Sequence, residues 1–287
     1  MDTKDLRIIF IGAGNIAQSM AKGLLNCSYV KCEQILAYAP SDRNLKTFQN
    51  FGCHTTQNLH QIFFDSQSSD VHYLLFICVK PNIGKDFGFW SSLKDKVQPN
   101  QWDKIFIVSV MAGVSLQTIE NYLSPSLKHN LARIMPNTAM AINAGTIGLY
   151  WKPWNLTQKL WSEKLPELLN KLGKCQQVDN EEQIHSIIGV AGSGIAFIYT
   201  VIQAMCDGGV SVGLSRQMSR ELVTQTVMGA AKMVTETGMN PIELRDHVCS
   251  PAGTTIAGVE MLEQGGINAT IINAVKKSTE RSRELSK

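Results

Sequence analysis

The chain has 287 residues, 44% of them apolar, and a formal net charge of +3 with both signs interspersed. That length suffices for one large domain or two ordinary ones with a substantial core. No run of Lys or Arg forms a stripe, so composition gives no pointer to nucleic acid, and the scattered charge reads as solvated surface.

The chain opens MDTKDL and goes straight into a short apolar run, RIIFI at 7–11. There is no signal-peptide core and no Arg-rich amphipathic presequence there, so a cytoplasmic protein is expected. Next comes G-A-G-N-I-A, with Gly12, Gly14 and Ala17, and then a helical stretch, NIAQSMAKGLL. In a strand–turn–helix context this is the dinucleotide fingerprint. Gly12 allows the tight turn, Gly14 lets backbone approach a pyrophosphate, and Ala17 permits close helix–strand packing. The helix N-terminus offers unpaired N–H groups to the phosphates.

QILAYA (34–39) reads as the second strand and DRNLKTFQNF as the following helix. The end of that strand usually separates NAD from NADP. Here it is followed by Ser41, Asp42 and Arg43. Ser41 and Arg43 suit a 2′-phosphate, Asp42 a ribose hydroxyl, and Arg43 also fits a solvated helix-start charge. NADPH is expected, with NADH as the alternative.

Further apolar runs are YLLFICV (73–79), IFIVSV (105–110), LARIM (131–135) and TIGLY (146–150), with KCQQV (174–178) as a more polar last strand. Strands alternating with helices predict βαβ units and a mostly parallel sheet. The strand ends should line one crevice. There Lys80 can meet phosphate or ribose, Ala112-Gly113 can let a cofactor lie on backbone, and Asn137 can bond a nicotinamide amide. Each of these taken singly is equally turn chemistry.

From about Glu181 the strand signal stops. Helical patterns fill 181–207, 216–238, 241–248, 254–264 and 267–286, broken at Gly or Pro, as in the DGG of 207–209. The expected domains are therefore 1–178, α/β and NAD(P)-binding, and 179–287, all-α. Residues 187–206 hold no charge. They are long enough to span a bilayer, but Ser193, Thr200 and Gln203 dilute them, and a core or subunit interface is the expected place.

The cysteines at 27, 32, 53, 78, 175, 206 and 249 form no C-x-x-C, and neither they nor the histidines show metal-ligand spacing. Reduced, structural cysteine and no metal site are expected.

VCSPAGTTIAG (248–258) interrupts the helical half with small and hydroxyl residues. Pro251 fixes backbone and Gly253 removes bulk. The N–H groups of Gly253 and Thr254 can face an anion at the start of helix 254–264. Simple N-capping by Ser250 or Thr254 fits the same residues.

Taken together, these stretches resemble the pyrroline-5-carboxylate reductase family. The matching pieces are FIGAGNIAQSMAKGLL (10–25), VKPNIG (79–84), SVMAGVSL (109–116), RIMPNTAMAINAG (133–145), GVAGSGIAFIYTVIQAMCDGGVSVGL (189–214), GAAKMV (229–234) and DHVCSPAGTTIAGVEMLEQGG (246–266). The last is the most specific. APSDRNLKTFQNFGCHTT (39–56) is similar to the shorter cytosolic eukaryotic branch.

The resemblance implies a Rossmann-type domain followed by a helical dimerisation domain like the C-terminal domain of 6-phosphogluconate dehydrogenase. It implies hydride transfer from NAD(P)H to C5 of 1-pyrroline-5-carboxylate, giving L-proline. It also implies interlocked homodimers, often assembled as five in a decamer, with a substrate site shared between subunits. By matching position, Gly12, Ala13, Gly14, Asn15, Ile16 and Ala17 should meet the pyrophosphate. Ser41 and its neighbours, Arg43 among them, should meet the adenosine ribose, and Asn58 should contact the cofactor. Val79, Lys80, Pro81, Ala112, Gly113 and Asn137 should follow ribose and nicotinamide. Ser250, Gly253, Thr254 and Thr255 should hold substrate, with Thr255 at the ring nitrogen.

One departure is Gly192-Ser193-Gly194-Ile195-Ala196-Phe197, where the family often has Pro and Tyr at the places of Ile195 and Phe197. A β-hydroxyacid-dehydrogenase-like enzyme is a rival, but GSGIAFIYTVIQ lacks the Lys and Asn of its G-x-G-x-x-x-K-x-x-N motif. A silent NADP-binding paralogue is another, and the retained loop at 250–255 argues against it. No G-x-S-x-G elbow is present, which disfavours a serine hydrolase.

Overall fold

A computed structural model describes residues 3–63, 71–94, 104–123, 128, 130–152 and 159–286. Every expected site residue lies among them. Eight strands form one sheet: β1 (Leu6–Ile11), β2 (Ile35–Tyr38), β3 (His54–Thr56), β4 (His72–Ile77), β5 (Ile105–Ser109), β6 (Leu131–Pro136), β7 (Gly145–Tyr150) and β8 (Gly173–Gln177). Their order is β3-β2-β1-β4-β5-β6-β7-β8. Every pairing is parallel except β6 with β7. The reversal follows from the short link between them, a 3₁₀ turn at Thr138–Ile142 closed by Asn143 at φ 57. A parallel return needs a crossover of a dozen residues or more. Strand β3 was not expected: its sequence, HTT, carries no apolar signal, and pairing with β2 makes it a strand.

Alternation along the central strands feeds two cores. Leu6, Ile8 and Phe10 of β1 with Leu74 and Phe76 of β4 face one side, and Ile9 and Ile11 with Tyr73, Leu75 and Ile77 face the other. Both faces are therefore apolar, as a covered parallel sheet requires. The covering helices are α1 (Asn15–Asn26), α2 (Leu45–Asn50), α3 (Pro81–Gly84), α4 (Phe87–Lys94), α5 (Leu116–Glu120) and α6 (Lys159–Lys171). Among them, α1 buries Ala17, Met20, Ala21 and Leu24.

Beyond β8 lie α7 (Gln183–Ile187), a π turn (Ile188–Gly192), α8 (Gly194–Ser211), α9 (Arg216–Thr237), α10 (Pro241–Val248), α11 (Thr254–Gln264) and α12 (Ile267–Glu284). The helix expected over 181–207 is thus divided by the π turn, and α8 continues through Gly208-Gly209 instead of breaking there. Packing is the reason: a Cβ on Gly209 would lie 2.1 Å from Ser219 Oγ, which donates to the Cys206 carbonyl at 2.9 Å. Gly209 therefore admits α9 and does not end α8.

The chain forms two compact units, residues 1–192 with 278–287, and residues 193–277. The last strand ends at Gln177, and among the described residues only helices follow it. The sheet unit nevertheless keeps residues 179–192 and the end of α12. Polar contacts hold them: Arg283 Nε to Glu182 Oε1 at 2.5 Å, and His185 Nδ1 with Ser282 Oγ at 2.8 Å. Burial, then the neighbouring Arg133, hold the His185 imidazole below its usual value.

Arg133 of β6 is 1% exposed and pairs through Nη1 with Glu181 Oε1 at 2.7 Å. The same oxygen accepts the Leu116 N–H at 2.8 Å, starting α5. Among the described residues, Nε and Nη2 of Arg133 are buried without hydrogen-bond partners. The pair is therefore asymmetric, because Glu181 is 20% exposed. Glu181→Ala, which strands a buried guanidinium, should cost about 3–5 kcal/mol. Arg133→Met, which leaves a carboxylate that water reaches, should cost clearly less. Urea denaturation at one fixed protein concentration checks this, and equal losses would contradict it.

Candidate functional site

The expected cofactor residues gather at the C-terminal ends of β1 to β6, the edge of a parallel sheet where ligands bind. Gly12 leaves β1 at φ +102, and its N–H donates to the Tyr38 carbonyl at 2.8 Å. A Cβ there would lie 2.6 Å from the Cys78 carbonyl group, so only glycine fits. Ala13 is buried, and its carbonyl accepts from Gln18 Nε2 at 2.9 Å, which braces the turn. Gly14 is the N-cap of α1 without a side-chain cap, and a Cβ on it would meet nothing within 4 Å. The first helical bond runs from Gln18 N–H to the Gly14 carbonyl. The N–H groups of Asn15, Ile16 and Ala17 thus lack helical acceptors. Ala17 is fully buried beneath them.

Ser41 and Arg43 are exposed in the turn between β2 and α2. Asn58, after β3, accepts the His60 N–H on Oδ1 at 2.9 Å, which fixes its side chain. Lys80 is exposed, and its carbonyl caps α3, which begins at Pro81. Val79 is half-buried beside it. These residues fit a dinucleotide: a backbone cradle open at Gly14, flanked by exposed cationic and hydroxyl groups.

Two expectations change at this edge. Ala112 is half-buried, but Gly113 is buried, and the space beside its Cα holds the Leu285 backbone, with a Cβ 2.8 Å from that carbonyl oxygen. Gly113 thus makes room for the C-terminal segment. The Asn137 side chain is likewise engaged. Its Nδ2 donates to the Ala191 carbonyl and its Oδ1 accepts the Thr146 N–H, both at 3.2 Å. It joins β6, β7 and the π turn.

In the helical unit, Ser250 to Gly253 form a tight turn, with Pro251 second, Ala252 third at φ 56, and Gly253 N–H donating to the Ser250 carbonyl at 3.0 Å. That is the layout of a type II turn, which usually takes Gly at the third place. The Gly253 N–H is consumed here, so it is not free for an anion, contrary to the expectation. Gly253 is itself the N-cap of α11 and no side chain caps that helix. Capping by Ser250 or Thr254 is excluded. The N–H groups at the start of α11 (Thr254, Thr255 and Ile256) are the open donors. Ser250 and Thr254 are exposed and Thr255 half-buried.

Comparison with known proteins adds a family to this geometry. The model for pyrroline-5-carboxylate reductase dimerisation matches residues 181–285, and that for NADP oxidoreductase, coenzyme F420-dependent, matches 7–113. Pyrroline-5-carboxylate reductase 3 of Bos taurus is 34% identical over 98% of this chain and 86% of its own length. Pyrroline-5-carboxylate reductase of Arabidopsis thaliana is 34% identical over 99% of this chain and 96% of its own. The chain belongs to the pyrroline-5-carboxylate reductase family.

The structure of the Coxiella burnetii reductase superposes with a TM-score of 0.80 at 31% identity, covering 98% of each chain. The Plasmodium falciparum reductase, solved with NADP bound, gives 0.82 at 23% over 98% of each, a likeness of fold. Family membership also accounts for α8. Residues 183–211 are long and apolar enough to cross a membrane. They lie within the dimerisation match, and Ile198 and Tyr199 are exposed in the single chain. The helix is not buried in a core of its own unit. Its exposed apolar face therefore lies within the part of the chain that matches a dimerisation family.

Ala252 carries the strain of a left-handed conformation, about 1 kcal/mol for a non-glycine residue. Ala252→Gly should leave the melting temperature unchanged or slightly raised. Ala252→Val should lower it, since a β-branched residue is disfavoured at positive φ. A higher melting temperature for the Val variant than for the Gly variant, by calorimetry, would contradict the assignment.

Proposed function

We propose that this protein reduces 1-pyrroline-5-carboxylate to L-proline with NADPH. The observation that carries the reading is full-length similarity to pyrroline-5-carboxylate reductases together with a hydroxyl-rich, uncapped helix start at Thr254. Bound NADPH supplies the hydride. The chain supplies binding, orientation and exclusion of water.

The N–H groups of Asn15, Ile16 and Ala17 take the pyrophosphate at the positive end of α1. Ser41 and Arg43 take the 2′-phosphate, and Asn58 the adenosine. Val79, Lys80, Pro81 and Ala112 border the ribose and nicotinamide, with Gly113 and Asn137 shaping that border from behind. The substrate carboxylate sits on the N–H groups of Thr254 and Thr255, where the α11 dipole favours an anion. Ser250 and Thr254 add hydroxyl donors, and Gly253 keeps the approach clear.

Thr255 hydrogen-bonds the ring nitrogen. Hydride adds to C5 as the C=N double bond becomes single, and the nitrogen ends protonated. A protonated imine is already electrophilic, so positioning does most of the work. The assembly is a homodimer with interlocked helical units, able to group into decamers, and the setting is the cytoplasm.

Three measurements follow. Purified protein given pyrroline-5-carboxylate should consume NADPH, seen as loss of nicotinamide absorbance. A protein that binds both and consumes neither NADPH nor NADH would refute the reading. Thr255→Ala should lower kcat/KM by about tenfold or more, the loss of one hydrogen bond to a charged group, with NADPH affinity unchanged. Unaltered kinetics would remove Thr255 from the site. Gly14→Ala should melt as the parent does, because its methyl meets open space, yet bind NADPH about tenfold or more weakly. Gly12→Ala should instead lose stability, through positive φ and contact with Cys78. Equal NADPH affinity for parent and Gly14→Ala, by titration of nicotinamide fluorescence, would contradict the cradle.

A further inference from the structure

Residues 282–286 form a strap that, at Leu285, lies against the loops bordering the nicotinamide side of the proposed cofactor site. Leu285 is fixed from two directions. Its carbonyl accepts from Lys85 Nζ at 3.0 Å. Its backbone also fills the space beside Gly113, where φ is +71 and a Cβ would lie 2.8 Å from the Leu285 oxygen and 3.0 Å from its carbonyl carbon. These contacts reach both loops at once. Lys85 ends α3, the turn that begins Lys80-Pro81, and Gly113 follows β5 directly after Ala112.

The two loops are also packed on each other. A Cβ on Gly84 would lie 2.1 Å from Met111 Sδ, so α3 and the β5 turn touch through a missing side chain. Trp90 Nε1 donates to the Gly84 carbonyl at 2.8 Å, and Tyr122 OH to the Lys85 carbonyl at 3.1 Å. The strap is itself anchored upstream, by Ser282 on His185 and by Arg283 on Glu182. Ser286 Oγ closes the last turn on the Ser282 carbonyl at 3.0 Å. All these residues belong to the sheet unit, though α12 begins in the helical one.

We propose that Leu285 is a positioning residue for NADPH: its backbone, gripped by Lys85 and seated on Gly113, holds the Lys80–Lys85 and Met111–Val114 loops in the conformation that receives the ribose and nicotinamide. The inference rests on the NADPH reading above, and its test separates the two. No side-chain chemistry is required of Leu285. Its main-chain oxygen and the absence of a Gly113 side chain do the positioning.

The test compares the full chain with a version ending at Glu284, with Gly113→Ala, and with Lys85→Met beside Lys85→Arg. Hydrogen exchange of the cofactor-free proteins reads loop order without any turnover. NADPH titration and steady-state kinetics read the consequence. Expected are faster exchange at 81–85 and 111–114 and NADPH Kd and KM raised by at least about fivefold in the shortened chain and in Gly113→Ala. KM for pyrroline-5-carboxylate should move less than about twofold, since cofactor and substrate loops lie on different units. Lys85→Arg should restore most of what Lys85→Met loses. Unchanged exchange at these loops, or an NADPH Kd within about twofold of the parent despite faster exchange, would overturn the proposal. A full-length protein that binds NADPH but does not reduce pyrroline-5-carboxylate would refute the activity alone, because exchange and Kd still judge the strap.

Discussion

The helical unit cannot bury its own apolar surface, and the rest of the molecule is organised around that constraint. Of residues 193–277, only Cys206, Ser219 and Val223 are buried. Ile198, Tyr199, Met228, Ile242, Met261 and Ile272 lie exposed along several helices. An exposed apolar area of this extent marks an interface, and obligate interfaces resemble a domain core cut in half. The dimerisation match spans 181–285 and so takes in this whole unit, in keeping with homo-oligomerisation.

The sheet unit, by contrast, is complete in itself. Its two cores are closed by short helices on both faces. It also captures pieces of the neighbouring sequence. Arg133 reaches Glu181, Glu182 reaches Arg283, and His185 reaches Ser282. These charged and polar links fasten both chain connections of the helical unit, one through α7 and the other through α12. The Asn137 amide adds a neutral link, from the end of β6 to the π turn. The links through Arg133, His185 and Asn137 are specific in geometry even where their net energy is small, because breaking one leaves a buried polar group unpaired.

The chemistry proposed for this protein relies on main-chain donors more than on acids and bases. Two helix starts, at Asn15 and Thr254, have no side-chain cap. Each follows a turn built from residues without bulk, and each presents N–H groups that the helix itself cannot use. One suits a pyrophosphate and the other a carboxylate. A reduction whose electrophile is an imine needs little more than anion binding, orientation and dryness. That is consistent with the composition of the proposed substrate loop, free of Lys, His, Asp and Glu from Cys249 to Gly258.

The sequence by itself determined the strand–helix alternation, the glycine turn after β1, the two-part α/β and all-α plan, and the family. These depend on local periodicity and on glycines whose neighbours in sequence explain them, as with Gly12 and Gly14. Tertiary structure alone decided the rest. Strand β3 exists because β2 offers an edge, not because HTT is apolar. The β6–β7 reversal comes from a link too short to cross over. Gly209 and Gly113 read as a breaker and a cofactor contact, yet one admits α9 and the other admits Leu285. The Gly253 N–H reads as free in sequence, yet it donates to the Ser250 carbonyl. The physical reason is common to all of these. A glycine or amide in sequence states only that space or a donor is present, and what fills it is set by chain segments brought close in folding, 200 residues away in the case of Lys85 and Leu285.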